Sequence, residues 1–184
     1  MSMGMIIYTV ADLDINDVVR QPIRLQILYN GEIYEPSVLE GLDDQEKEEI
    51  ARWKPSHQSE RYDVEGTFQA IHYLLTKEQE WGKGKFPLNF LTGQRLPIGE
   101  IGWGKANFYT SLDVRQIADA LNTLDLDKIK KRYNADFYNK EKIYPGGYTW
   151  KTGDDEYLLE KIKNLAAFVN HVRDQGLGFY IVLV

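Results

Sequence analysis

Apolar residues recur at helical spacing along the end of the chain. Leu158, Ile162, Leu165, Phe168, Val169 and Val172 share one face of a helix beginning near Asp154, and Lys161, Lys163, Asn164, Asn170 and Arg173 fill most of the other. Asp154, Asp155 and Glu156 suit the positive end of that helix, and Gly176 suits the left-handed residue that closes one. Leu177 to Val184 follows as a continuous apolar run with β-branched and aromatic residues, the pattern of a strand buried on both faces. A long amphipathic helix leading into a buried strand predicts a sheet covered by helices.

The rest of the chain repeats the two periods. Met5 to Val10 reads as a first strand, followed by a helix capped by Asp12 or Asp14, with Ile15, Val18 and Val19 inside and its end at Gln21-Pro22. Residues 23–34 fit either a hairpin turning at Asn30-Gly31 or a helix closing at Gly31; the spacing of Ile23, Ile27 and Leu28 favours the helix. Asp43 to Glu49 opens a polar helix carrying Ile50 and Trp53, with a loop from Lys54 to Ser59. A helix over Asp63–Thr76, capped by Asp63, places Val64, Phe68, Ile71 and Leu75 on one side. Gly82, Gly84, Pro87, Gly93, Pro97, Gly99 and Gly102 then mark residues 78–104 as loops and turns, and a loop region of that length is often functional. Ala106 to Thr110 reads as a strand, Ser111 as the cap of a helix holding Val114, Ile117, Ala118 and Leu121, and Asp127–Tyr133 as a shorter helix. Ile143 to Gly147 is a sharp turn. Interleaved helices and strands predict an α/β class with a mixed β-sheet in a single domain over 1–184.

Composition narrows the function classes. At 184 residues the chain buries roughly 70% of its unfolded surface and needs no metal or disulfide to fold. It has no cysteine, which excludes disulfides, thiol nucleophiles and cysteine-held metal sites. A net charge of −6 disfavours nucleic acid and anionic membranes, both of which want a positive footprint. The one dense basic run, Lys128 to Arg132, reads as a solvated helix face. The first residues lack a basic stretch leading into a long apolar core, and no apolar run approaches the roughly 20 residues of a membrane span. A cytoplasmic protein is the expectation.

Several short signatures occur in a telling order: Met3-Gly4-Met5-Ile6 entering the first strand, Asp63…Phe68…His72-Tyr-Leu-Leu-Thr76, Pro87-Leu88, Gly93, a strand–Ser111–helix step, Leu121-x-x-Leu124-Asp125, Tyr133, and Ile143-Tyr144-Pro145-Gly146. In this order and spacing the chain resembles the YfbM-like family, a domain of unknown function. The resemblance covers the first strand and nearly everything after Asp63. Phe68 stands where relatives carry Trp, and residues 21–61 are longer than in compact members, which marks them as a variable helical elaboration. The resemblance implies a three-layer α/β fold and a small bacterial cytoplasmic protein; it implies no activity.

Candidate chemistry is sparse. His72 shares a helix face with Thr76 and can act as a general base or ligand-binding ring, with Glu100, a carboxylate without an evident structural role, as its acid–base partner. The simpler role for His72 is structural, bonded to backbone and holding its helix to the glycine-rich loops. Trp81, Trp103, Tyr109, Tyr144 and Trp150 join His72 and Thr76 as candidate ligand-binding residues, since tyrosine and tryptophan combine apolar area with one polar handle. His57, His72 and His171 are too far apart in sequence for a helical zinc motif, and neither a phosphate loop nor a hydrolase elbow is present. No metal and no cofactor is expected. The leading expectation is a small acidic binding or interaction protein, immunity-like or regulatory, whose recognition surface comes from loops 78–104 and 143–150, acting as monomer or homodimer on a protein or small-molecule partner. The alternative is a small-molecule hydrolase or transferase with His72 as base, which requires His72 to line an open cleft and fails if the ring is sealed in the core.

Overall fold

The strand β5 (Gly178–Leu183) lies in the middle of the sheet, and every residue from Gly178 to Val182 is buried. On one side it pairs with β1 (Met5–Val10), which pairs in turn with β2 (Arg61–Glu65). On the other it pairs with β4 (Gly104–Tyr109), which pairs with β3 (Leu96–Ile101). The order is β2-β1-β5-β4-β3 and each pairing is antiparallel, so the sheet expected to be mixed is wholly antiparallel among the described residues. The structure, a computed structural model, describes residues 3–145 and 147–184.

Side chains alternate across this sheet and feed two cores. Val10, Ala106, Phe108, Tyr180 and Val182 meet Ile15 and Val18 of α1 (Asp12–Arg20) and Leu25 and Leu28 of α2 (Arg24–Asn30). Met5, Ile7, Tyr109, Phe179 and Ile181 meet the larger core, built from α4 (Phe68–Thr76), α5 (Ser111–Asn122), α6 (Leu126–Lys130), α7 (Ala135–Lys140) and α8 (Asp154–Asp174). Helices therefore cover both faces, the three-layer arrangement expected of the chain. The helix α3 (Asp44–Arg52) carries a complete capping box between Asp43 and Glu46, and Trp53 at its end donates to Asp17 at 2.9 Å. Residues 23–34 settle as the helix α2, closed by Gly31 at φ +83°.

The C-terminal reading holds for most of its stripe: Leu158, Ile162, Leu165, Val169 and Val172 are buried, Phe168 is half-buried, and Gly176 is left-handed at φ +69°. Three members of the basic run are paired locally, and Lys131 is exposed. Lys128 pairs with Asp125, Lys130 with Asp155 and Glu156, and Arg132 donates to the Leu75 carbonyl at 3.2 Å at the end of α4.

Four elements differ from expectation. The helix placed over 63–76 is β2 followed by α4: Tyr62 and Val64 face inward while Arg61, Asp63 and Glu65 face out, a period of two that an apparent Asp63 cap disguises. β3 was hidden by Pro97 and Gly99, residues a strand tolerates at a sheet edge. α7, six residues behind an Asn134 cap, was too short to show a period. Caps also move: Thr110, not Ser111, caps α5, and Ala11 stands at the cap position of α1, with no side-chain cap, while Asp12 and Asp14 bond elsewhere. Asp12 accepts from Ser111 N and Oγ at 2.8 and 2.6 Å, and the buried Asp14 from Ser56 N and Oγ, so one carboxylate ties the start of α5 to α1 and the other the loop after α3. Val19 is exposed, one position off the stripe.

The β3–β4 turn docks against the end of β5, where Trp103 N donates to the Leu183 carbonyl at 2.9 Å. A Cβ on Gly102, at φ +65°, would lie 2.0 Å from that oxygen, whereas a Cβ on Gly31, also left-handed, would meet nothing. Gly31→Ala is expected to lower stability by about 1 kcal/mol, the left-handed penalty alone. Gly102→Ala is expected to cost clearly more, because the turn must also leave β5. Denaturant midpoints of the two variants check this; equal losses would contradict the docking.

Candidate functional site

One rung of the sheet, Glu65–Met5–Leu183, carries two cavities side by side. The first, of about 200 Å3, is lined by Met5, Leu183, Thr92, Pro97, Trp81 and Trp103 among others. The second, of about 440 Å3, is lined by Glu65, Gly66, Thr67, Pro145, Tyr148, Trp150, Asp154 and Tyr157. A row of rings joins them. Phe68, buried at the start of α4, meets Trp81 edge-on at 5.6 Å and stacks on Tyr144 at 5.2 Å, and Gly66 lets Tyr144 and Pro145 approach because a Cβ there would sit 3.3 Å from the Tyr144 ring. Tyr144 is held in place: its N–H donates to Gln69 at 2.8 Å and its hydroxyl to the Met3 carbonyl at 2.9 Å. Gly146 of the expected turn lies outside the described residues.

The two expected loop regions thus meet at one end of the sheet, and each brings exposed aromatic residues there among its polar ones. Trp81 is 46% and Trp103 59% exposed, and neither indole N–H has a hydrogen-bond acceptor among the described residues. Tyr148 and Tyr157, 49% and 45% exposed, were missed as site residues. Tyr157 sits off the apolar stripe of α8, and an exposed aromatic outside the stripe was the available signal.

His72 is sealed, at 0% exposure. Its ring lies against the Thr92 hydroxyl at 3.1 Å from Nδ1 and the Thr76 hydroxyl at 3.4 Å from Nε2. Thr92 also accepts from Gly82 N at 3.2 Å, so the ring binds α4 to the 77–95 loop, the structural role anticipated for it. Burial pushes its pKa down to about 4, with a hydrogen bond to the Glu80 backbone pulling the other way. Glu100 lies apart, lining a cavity on the α2 side of the sheet with Ile23, Leu25 and Gln26. The His72–Glu100 acid–base pair therefore does not assemble, and the reading with His72 as general base fails on its own condition.

Tyr109 and Trp150 are core residues. The Tyr109 hydroxyl donates to the Phe90 carbonyl at 2.6 Å, burial raises its pKa against the opposing hydrogen bond from Asn107, and the Trp150 indole donates to the Ile143 carbonyl at 3.0 Å. Thr76 donates to the His72 carbonyl, an in-helix bond. A hollow of about 680 Å3 opens beside α2 and α3, with Trp53 and His57 in its wall; His57 is bonded to Thr9 at 3.1 Å. Among the described residues no three His, Asp or Glu side chains are placed to hold a metal together, and no helix is long and apolar enough to cross a membrane.

A ring neutral when folded and charged when unfolded makes protons favour unfolding. The stability His72 contributes is full above about pH 6.5 and is lost as the pH falls towards about 4, at no more than about 1.4 kcal/mol per unit. The stability gap between wild type and His72→Gln, measured by denaturant unfolding, is expected to shrink over that window; a gap independent of pH would contradict the burial.

The family described as Domain of unknown function (DUF1877) matches residues 1–182. No match was found among the curated proteins. Among solved structures, the chain is similar to the crystal structure of a protein of unknown function, YfbM from Escherichia coli. The TM-score is 0.65 at 16% identity, over 98% of this chain and 99% of that one. At that identity the likeness establishes the fold alone, whereas the match over nearly the whole sequence establishes the family: the chain is a member of the DUF1877, or YfbM-like, family.

Proposed function

We propose that the chain is a binding protein that recognises a partner polypeptide through the aromatic end of its sheet. The observation that carries this is the convergence of Trp81 and Trp103 on one cavity, each about half exposed and with a free indole donor. Tryptophans rarely spend so much area on water without a use, and they dominate the energetics of protein interfaces. Pro97 and Leu91 supply apolar wall, and Gln94 and Lys105 a polar rim, the usual division of an interface patch. The backing is rigid: Asn107 donates to Tyr109 Oη and accepts from Arg95 N and Leu96 N, holding the 90–95 loop to β4. The charge of −6 favours a basic partner and makes association faster at low salt.

Wild-type protein, Trp81→Ala and Trp103→Ala, each checked for native circular dichroism, serve as baits in native lysate at low and moderate salt. The expected result is a partner retained by wild type and weakened more than tenfold by Trp103→Ala, the loss typical of a central aromatic anchor. Equal capture by all three baits, or no partner at either salt, would contradict the reading.

A further inference from the structure

The second cavity has a different chemistry from the first. Its walls are the rings of Tyr148, Trp150 and Tyr157 and the carboxylates of Glu65 and Asp154. Rings that present their faces and carboxylates that present oxygens together suit a cation. One wall already holds one from its own chain: Lys161 Nζ bonds Glu65 Oε1 at 2.6 Å and lies 5.4 Å from the centre of the Tyr157 ring. Among the described residues the opposite wall holds none. Asp154 Oδ2 accepts from Lys151 N at 2.8 Å and from the Tyr148 hydroxyl at 3.1 Å, while Oδ1 has no donor among the described residues. Tyr148 stands beside it, half exposed and braced edge-on by the buried Trp150 at 5.1 Å. The start of α8 would repel a cation by its dipole, but Asp154, Asp155 and Glu156 in the first turn more than offset that partial charge.

We propose that this cleft is a guanidinium site, taking an arginine side chain of the partner between Tyr148 and Asp154. A guanidinium fits better than an ammonium because it is planar, stacks on a phenol and offers a fork of donors to a carboxylate. The cleft, about 440 Å3, admits it beside Lys161. Assigning the arginine to a partner polypeptide rests on the recognition role proposed above; the cation chemistry of the cleft does not. The two cavities border the same rung of the sheet, Met5 and Leu183 lining one and Glu65 the other.

The probe is N-acetyl-arginine methylamide, with N-acetyl-citrulline methylamide as the neutral match and free arginine as the metabolite, each titrated into 15N-labelled protein. Saturable shifts of the amides of Tyr148, Asp154 and Tyr157 are expected with the capped arginine and not with the citrulline compound. Asp154→Asn is expected to weaken binding at least tenfold. Tyr148→Ala, which removes the ring on which the guanidinium stacks, is expected to weaken it several-fold, and Trp103→Ala to leave it unchanged. Shifts of equal size with citrulline, or none with either, overturn the site; binding of free arginine alone overturns the assignment to a polypeptide. Because the probe never touches the tryptophan cavity, failure here leaves the capture experiment standing, and the reverse also holds.

Discussion

The burial of β5 on both faces is the constraint from which the rest of the structure follows. A strand with Phe179 and Ile181 on one side and Tyr180 and Val182 on the other must have a packed layer above and below it. Fully burying side chains of that size contributes roughly 2 kcal/mol each, so exposing either face would remove a large part of an ordinary domain's net stability. Two layers of helix are therefore needed. α1 and α2 supply one and α4 to α8 the other, and the strands between β5 and the edges complete the hydrogen bonding that a central strand demands.

The same constraint fixes where the candidate site can be. β5 ends at Leu183, β1 begins at Met5 and β2 ends at Glu65, so three strand ends coincide on one rung. Connections that leave this end must cross the sheet's rim, and they do so with rings: Trp103 after β3, Trp81 after α4, Tyr144 and Tyr148 before α8. Phe68 and Gly66 set their spacing, one by stacking and the other by having no side chain. His72 belongs to the same design as a fastener. Its buried ring fixes the 77–95 loop through Thr92, which is why a residue that looks catalytic in a helix pattern is structural in space.

What could be read from the sequence divides along physical lines. Long amphipathic periods were legible: α8, α5 and the double-faced β5 follow from hydrophobic spacing, and Gly31 and Gly176 from their conformational freedom. Short elements at the rim were not. β2 carries just two inward residues, β3 is interrupted by Pro97 and Gly99, and α7 has less than two turns. The meeting of loops 78–104 and 143–150 was anticipated, and Trp81, Trp103 and Tyr144 were named within it. The roles of Tyr109 and Trp150 were not legible, because burial of an aromatic in a strand or loop depends on the partner elements rather than on its neighbours in sequence. Asp12 and Asp14 illustrate the same limit: a carboxylate at a helix start looks like a cap until a distant serine competes for it.

The central claim, that β5 is the doubly covered middle of one sheet, is tested most directly by native-state hydrogen exchange resolved by residue. The amides of Phe179 to Val182 are expected to be among the slowest in the chain and to exchange only through global unfolding, while those of β2 and β3 exchange through smaller openings. Exchange of the β5 amides as fast as those of the edge strands would contradict it.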